Sequence, residues 1–189
     1  MTYSPMHRRH QAGSSLIEVL VAILILSFGM LALGAMLSFA IQLPKLSGYR
    51  STAVNLASSH IERIRANATG FANGLYSAPA APLSYDGTSS DVALADCLYP
   101  NCSEASLAGM DNAATNRAVR VQLPAGGMLL TCDTAPCTVN SYGNLWIIWQ
   151  EPSTFAALNP LSTSDNCPTE VTSTYTVPKP RCLYVRFKL

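Results

Sequence analysis

Charge is scarce in this sequence. Only 12% of its 189 residues are Asp, Glu, Lys or Arg, and the signs nearly cancel, with 12 basic residues against 11 acidic. A nucleic-acid-binding surface shows a basic excess or a basic stripe, and neither is present. Arg8 and Arg9 precede Gly13; beyond them the chain carries 10 basic against 11 acidic residues. Its surface must therefore rely on Ser, Thr, Asn and Gly for solubility. Cysteine is missing from the first half. All six cysteines, Cys97, Cys102, Cys132, Cys137, Cys167 and Cys182, lie beyond residue 96. An even number in a loop-rich region points to disulfides and an oxidising compartment.

The marks of catalysis are missing too. There is no HExxH, no GxSxG and no phosphate-cradling GxxxxGK. Asp91, Asp96, Glu104 and Asp111 lack EF-hand spacing and are expected to be solvated loop acids rather than calcium ligands. Asp165 and Glu170 are also placed in loops. His60, beside Glu62 and Arg63, has no nucleophile to serve and is expected to be a surface or half-buried helical residue. These observations predict a protein that is not an enzyme, with no cofactor and no bound metal.

What the sequence does have is a long apolar run. From Val19 to Leu37, VLVAILILSFGMLALGAML contains no charge, and only Ser27 interrupts it with a polar side chain. At about 1.5 Å per residue a helix of this length crosses a hydrocarbon core of roughly 30 Å. The basic flank His7-Arg8-Arg9-His10 should remain cytoplasmic, with the bulk of the chain on the far side. A secretory signal peptide, cut at the small residues around Ala32–Ala35, is the alternative. It fits less well, since the run exceeds an ordinary signal core and continues as a helix. One carboxylate, Glu18, sits at the start of the run, where lipid penalises it.

Gly13, two intervening residues and then Leu16-Ile17-Glu18-Val19-Leu20 resemble the class III signal of type IV prepilins and type II secretion pseudopilins. The resemblance implies that a prepilin peptidase cuts between Gly13 and Ser14 on the cytoplasmic side and N-methylates Ser14. It also implies that Glu18 is the family's fifth-position glutamate, an assembly contact for a neighbour's N-terminal amine. Ser14 departs from the usual Phe or Met after the cut.

The helical pattern continues beyond the apolar run. In SGYRSTAVNLASSHIERIRAN, Val54, Ala57, Ile61 and Ile64 mark one apolar face, Glu62 can meet Arg65 at i+3, and Asn67 and Gly70 can stop the helix. A helix from about Ser14 to Ala66 is predicted, kinked or briefly opened at Pro44. Residues 71–118 are irregular, with a short helix near Ser103 to Met110. Four strands follow in AVRVQLP (Val119, Val121, Leu123), GMLLTC, NLWIIWQE (Trp146 to Trp149) and CLYVRFKL (Leu183, Val185, Phe187). Pro160 to Pro180 is a loop. The predicted fold is α+β and pilin-like, a long N-terminal helix packed on a small antiparallel sheet of about four strands.

The strings IERIRAN, ATGFANGLY and LPAGGMLL, in this order, resemble minor pilins of the PilV type. That resemblance implies a leader at 1–13, a transmembrane helix at 14–37, its amphipathic continuation at 38–67, and a disulfide-bearing, β-rich periplasmic head at 68–189. It implies an inner-membrane protein, cytoplasmic at its N terminus, that passes to the pilus. Its partners would be the prepilin peptidase, other minor pilins, the major pilin, membrane lipid and a pilus-tip adhesin, with no nucleic acid. A type II secretion pseudopilin, and a membrane-anchored binding domain with no filament role, are the alternatives.

Six cysteines allow 15 pairings. The local set Cys97–Cys102, Cys132–Cys137 and Cys167–Cys182 is preferred because it closes small loops. The last pair also resembles the disulfide that pins the C-terminal loop of pilins. A tetrathiolate zinc site on the two C-x4-C pairs is the alternative. Its spacing is wider than the usual C-x2-C knuckle, and an oxidising compartment opposes it.

Overall fold

The computed structural model describes residues 15–77, 91–93, 96–98, 100–135, 137–152, 165, 167–174 and 179–189. The described elements are helix α1 (Leu16–Ala66), α2 (Ala68–Ala72) and α3 (Glu104–Gln122), strands β1 (Gly127–Cys132) and β2 (Gly143–Gln150), helix α4 (Thr169–Thr174) and strand β3 (Pro180–Phe187). The chain divides into two compact units, residues 1–42 and residues 43–189.

The described part of the first unit is helical from Leu16 onward, and its large apolar side chains from Leu16 to Ile41 are exposed. Ser27, the polar residue of the run, donates its hydroxyl to the Ile23 carbonyl one turn back at 2.8 Å. The hydroxyl is thereby satisfied within the helix, as a lipid-facing position requires. The helix is long and apolar enough to cross a membrane.

In the second unit, α1 passes Pro44 without interruption. The ring removes one backbone donor from the helix. Ala53, Ala57, His60, Ile61 and Ile64 form the buried stripe of this segment. Val54, expected on that face, is 48% exposed. Ala57, Ile61 and Ile64 are buried as expected, and Ala53 takes the place of Val54 on that face. Asn67 ends α1 and caps α2, its side-chain oxygen accepting the Gly70 N–H at 3.3 Å. The expected loop after Ala66 therefore begins as another turn of helix.

Among the described residues three strands form the sheet, in the order β1-β2-β3, antiparallel throughout. A fourth strand expected over AVRVQLP is not one; those residues close α3 instead. Ser103 caps that helix by accepting the Ser106 N–H at 3.1 Å. Its buried positions are Ala108, Asp111, Asn112, Thr115, Asn116 and Val119, a 3–4 spacing carried mainly by polar side chains. An apolar periodicity could not display that face. Val121, part of the apparent alternation, is 76% exposed. The short helix expected at Ser103 to Met110 is the first half of this longer one. Within the loop expected at Pro160 to Pro180, α4 supplies a further short helix.

The apolar run of β2 is explained by cover on both faces of the sheet. Leu145, Ile147 and Trp149 join the main core with Ile61 and Ile64 of α1, Phe71 of α2, Val119 of α3, Met128 and Leu130 of β1 and Phe187 of β3. Ile148 and Trp146 face the other way, against Leu129, Val171 of α4, Cys167 and Cys182. Gly143 pairs with Phe187, and any Cβ there would overlap the Phe187 ring. Between α3 and β1, Ala125 turns the chain with a positive φ of 45°.

Candidate assembly segment

Glu18 lies in the first turn of α1. Its amide donates to the Ser15 carbonyl at 2.9 Å, as the helix begins. A carboxylate in the first turn is favoured by the helix dipole. From Val19 to Pro44 no residue is charged, so Glu18 is the acid at the N-terminal end of an apolar run. Exposed apolar side chains on all sides and one internally satisfied hydroxyl suit burial in lipid or among like helices. Gly13 and Ser14, the expected cleavage and methylation positions, lie outside the described residues, as does the basic flank from His7 to His10.

The second unit is braced by polar groups that the sequence did not display. His60, expected at the surface or half-buried, is fully buried, and its Nδ1 hydrogen-bonds Thr115 Oγ1 of α3 at 2.9 Å. Burial, with a smaller contribution from the nearby Arg63 guanidinium, lowers its pKa to about 4, so the ring is neutral at physiological pH. Asp111, also expected in solvent, is 4% exposed on α3. It accepts the Tyr76 hydroxyl at 2.6 Å and an Arg63 N–H at 3.4 Å. Tyr76 in turn accepts from Asn67 Nδ2 at 3.2 Å, and Asn67 Nδ2 also reaches the Glu104 carbonyl at 2.9 Å. Burial and the Asp111 hydrogen bond push the Tyr76 phenol above its ordinary value. The end of α1, the 73–77 turn and α3 are thus tied by one network.

A second buried cluster ties the C-terminal region. Arg181, at the start of β3, is 3% exposed; its Nε donates to Glu151 at 3.2 Å and its NH1 to Asp165 at 2.6 Å. Arg50 of α1 meets the other oxygen of Asp165 at 3.2 Å. Asp165 was expected to be a solvated loop acid; it is 6% exposed and ion-paired. Beside it, Cys167 and Cys182 are disulfide-bonded, as are Cys97 with Cys102 and Cys132 with Cys137. Their Cα–Cα distances of 5.2, 5.1 and 5.4 Å lie within the ordinary disulfide range.

The candidate calcium acids do not converge. Asp91 pairs with Arg117 at 3.1 Å, Glu104 accepts from Asn73 at 3.3 Å, and Asp111 belongs to the network above. Among the described residues no group of three His, Cys, Asp or Glu side chains is placed to hold a metal ion. The Glu62–Arg65 pair forms at 2.6 Å; both partners are exposed, so its contribution is small.

The prokaryotic N-terminal methylation motif matches residues 8–34. That span contains Gly13, Ser14, Glu18 and most of the apolar run. No curated protein and no solved structure matches the chain. The match is to the N-terminal signal of prokaryotic pilin-type proteins, and it does not extend beyond the apolar run into the head. Such a signal followed by an apolar helix fits membrane anchoring.

Proposed function

We propose that this chain is a minor pilin of the PilV type, a structural subunit that takes part in the assembly and initiation of a type IV pilus. The observation that carries the reading is the methylation motif with Glu18 in the first turn of an exposed apolar helix. Three placements support the finer assignment. IERIRAN closes α1, the ATGFANGLY segment forms α2 and its following turn, and LPAGG is the turn that carries the chain from α3 into β1.

The mechanism follows from charge and solvation. While the prepilin waits in the inner membrane, Glu18 remains near the headgroups, where a carboxylate costs little. Cleavage after Gly13 frees the amine of Ser14. When the helix leaves lipid for a filament core, Glu18 would be buried among apolar side chains and needs a cation. The Ser14 amine of a neighbouring subunit supplies it and so sets the stagger between helices. The head supplies no catalysis; it presents surfaces to other minor pilins, the major pilin and a tip adhesin.

The test is to express the chain with and without a prepilin peptidase and sequence the N terminus. The expected product starts at N-methylated Ser14 only with the peptidase, and Gly13 substitution blocks its formation. A product starting after Ala35, or no processing, would overturn the reading.

A further inference from the structure

The connection between β1 and β2 encloses a concave site that filament assembly leaves unused. Cys132–Cys137 closes the base of the loop. The Asp133 N–H donates to the Tyr142 carbonyl at 3.1 Å. Ser141 Oγ gathers the Thr134 hydroxyl at 2.6 Å, the Thr138 hydroxyl at 2.9 Å and the Thr138 N–H at 3.0 Å. The resulting cavity of about 170 Å³ is lined by Asp133, Thr134, Thr138, Asn140, Ser141 and Tyr142. That is below the roughly 300 Å³ at which drug-sized ligand pockets begin, and it suits a ligand about the size of one sugar ring.

The chemistry of the walls narrows the occupant. Asp133 accepts from Asn144 Nδ2 at 2.7 Å and from the Arg186 guanidinium. A carboxylate has about four acceptor positions, so two protein donors orient it and leave capacity for ligand hydroxyls. Asn140 is exposed and carries both donors and an acceptor. Tyr142 is 40% exposed, with the Arg186 guanidinium 4.1 Å from its ring centroid and Lys188 Nζ at 5.2 Å. The cations hold the ring in place.

We propose that this cavity binds a single hexose-sized residue of a glycan. A sugar offers vicinal hydroxyls to the Asp133 carboxylate and the Asn140 amide, and an apolar C–H edge to Tyr142. Other occupants fit worse. A free phosphate or sulfate would face the Asp133 carboxylate, a divalent cation would find one carboxylate already engaged by Arg186, and an apolar drug-sized ligand needs roughly 300 Å³ or more. The disulfide and the Ser141 hydrogen bonds fix the loop before the ligand arrives, which lowers the ordering cost of binding.

The experiment is a ¹H–¹⁵N NMR titration of the full chain in micelles of a detergent that contains no sugar. The probes, added separately, are D-galactose, N-acetyl-D-glucosamine, methyl α-D-mannoside and D-glucuronate, with inorganic phosphate as a competitor class. The expected result is saturable shifts in residues 133–142 with at least one sugar, in the millimolar range. Asn140→Ala should weaken that binding at least tenfold while leaving the disulfide map and melting temperature unchanged, and Tyr142→Ala should weaken it as well. No saturable shift with any sugar, shifts confined to other residues, equal binding by Asn140→Ala, or a stronger response to phosphate would each overturn the proposal. None of these outcomes bears on processing at Gly13, so the filament reading is tested separately.

Discussion

Acid should loosen the head through His60, and by an amount the structure sets. The ring is fully buried between α1 and α3, bonded through Nδ1 to Thr115 and placed edge-on to Tyr76, with ring centroids 6.1 Å apart. The charges nearby are Arg63 on its own helix and Asp111 on α3, which already pair with each other. Burial and Arg63 lower the His60 pKa from 6.5 to about 4. The sign follows directly. Unfolded chains take up a proton at His60 near pH 6.5, whereas the folded head resists until about pH 4. The unfolded state therefore binds more protons across that window, and stability falls as pH falls from about 6.5 to 4. At about 1.4 kcal/mol per pKa unit the full loss is about 3 kcal/mol. For a folded unit of this size that corresponds to a drop of roughly 6–12 °C in melting temperature.

The assay is thermal or urea unfolding of the full chain in micelles, followed by the fluorescence of Trp146 and Trp149, at several pH values between 7.5 and 4 and at one fixed ionic strength, so that screening is constant. Wild type should be flat above about pH 7 and then decline by up to about 1.4 kcal/mol per pH unit. His60→Gln retains an amide that can reach Thr115 but does not titrate. It should begin less stable and show a much shallower slope over the same window. Parallel pH profiles for the two proteins would refute the reasoning, because the acid sensitivity would then belong to other groups.

Three further perturbations follow from the geometry. Glu18→Ala should still insert and be cleaved, but its recovery in sheared pili should fall at least tenfold relative to wild type, as an unpaired amine buried in the filament core costs roughly 3–5 kcal/mol; normal recovery would remove the assembly role of Glu18. Arg181→Met should destabilise the head by about 3–5 kcal/mol, because it strips a buried cation from Glu151 and Asp165, and urea titration would read this as a lowered midpoint with an unchanged slope. Ala125→Gly should raise stability by about 0.5–1 kcal/mol, since glycine relieves the left-handed conformation at φ 45°; a loss in the same urea assay would contradict the strain.

The sequence revealed those elements whose burial is apolar. The membrane-length helix shows as an uncharged run, and the stripe Ala57, Ile61 and Ile64 recurs at helical spacing. GMLLTC, NLWIIWQE and CLYVRFKL show as strands because their apolar residues meet a core. Helix α3 is hidden in the sequence because its face toward the core is built from Asp111, Asn112, Thr115 and Asn116. Those side chains look solvated in a sequence and are buried by partners many residues away. The alternation Val119, Val121, Leu123 imitates a strand in residues that form the end of α3 and its C-cap.

The same contrast separates the two functional regions. Glu18 is legible because its meaning is local: one acid, at a fixed distance from Gly13, at the head of a run that excludes charge. In the proposed role the contact of Glu18 lies on another subunit, so the sequence carries it without a long-range pairing. His60, Asp111, Asp165 and Arg181 acquire meaning only when distant segments meet, with pair separations of 55 residues for His60–Thr115 and 115 for Arg50–Asp165. Each is a charged or titratable group withdrawn from water, which is costly unless the partner arrives in the right place. Such groups stabilise one arrangement of α1, α3 and β3 and penalise the alternatives. Under the proposed filament role, a head held in one conformation would present the same surface to every neighbour.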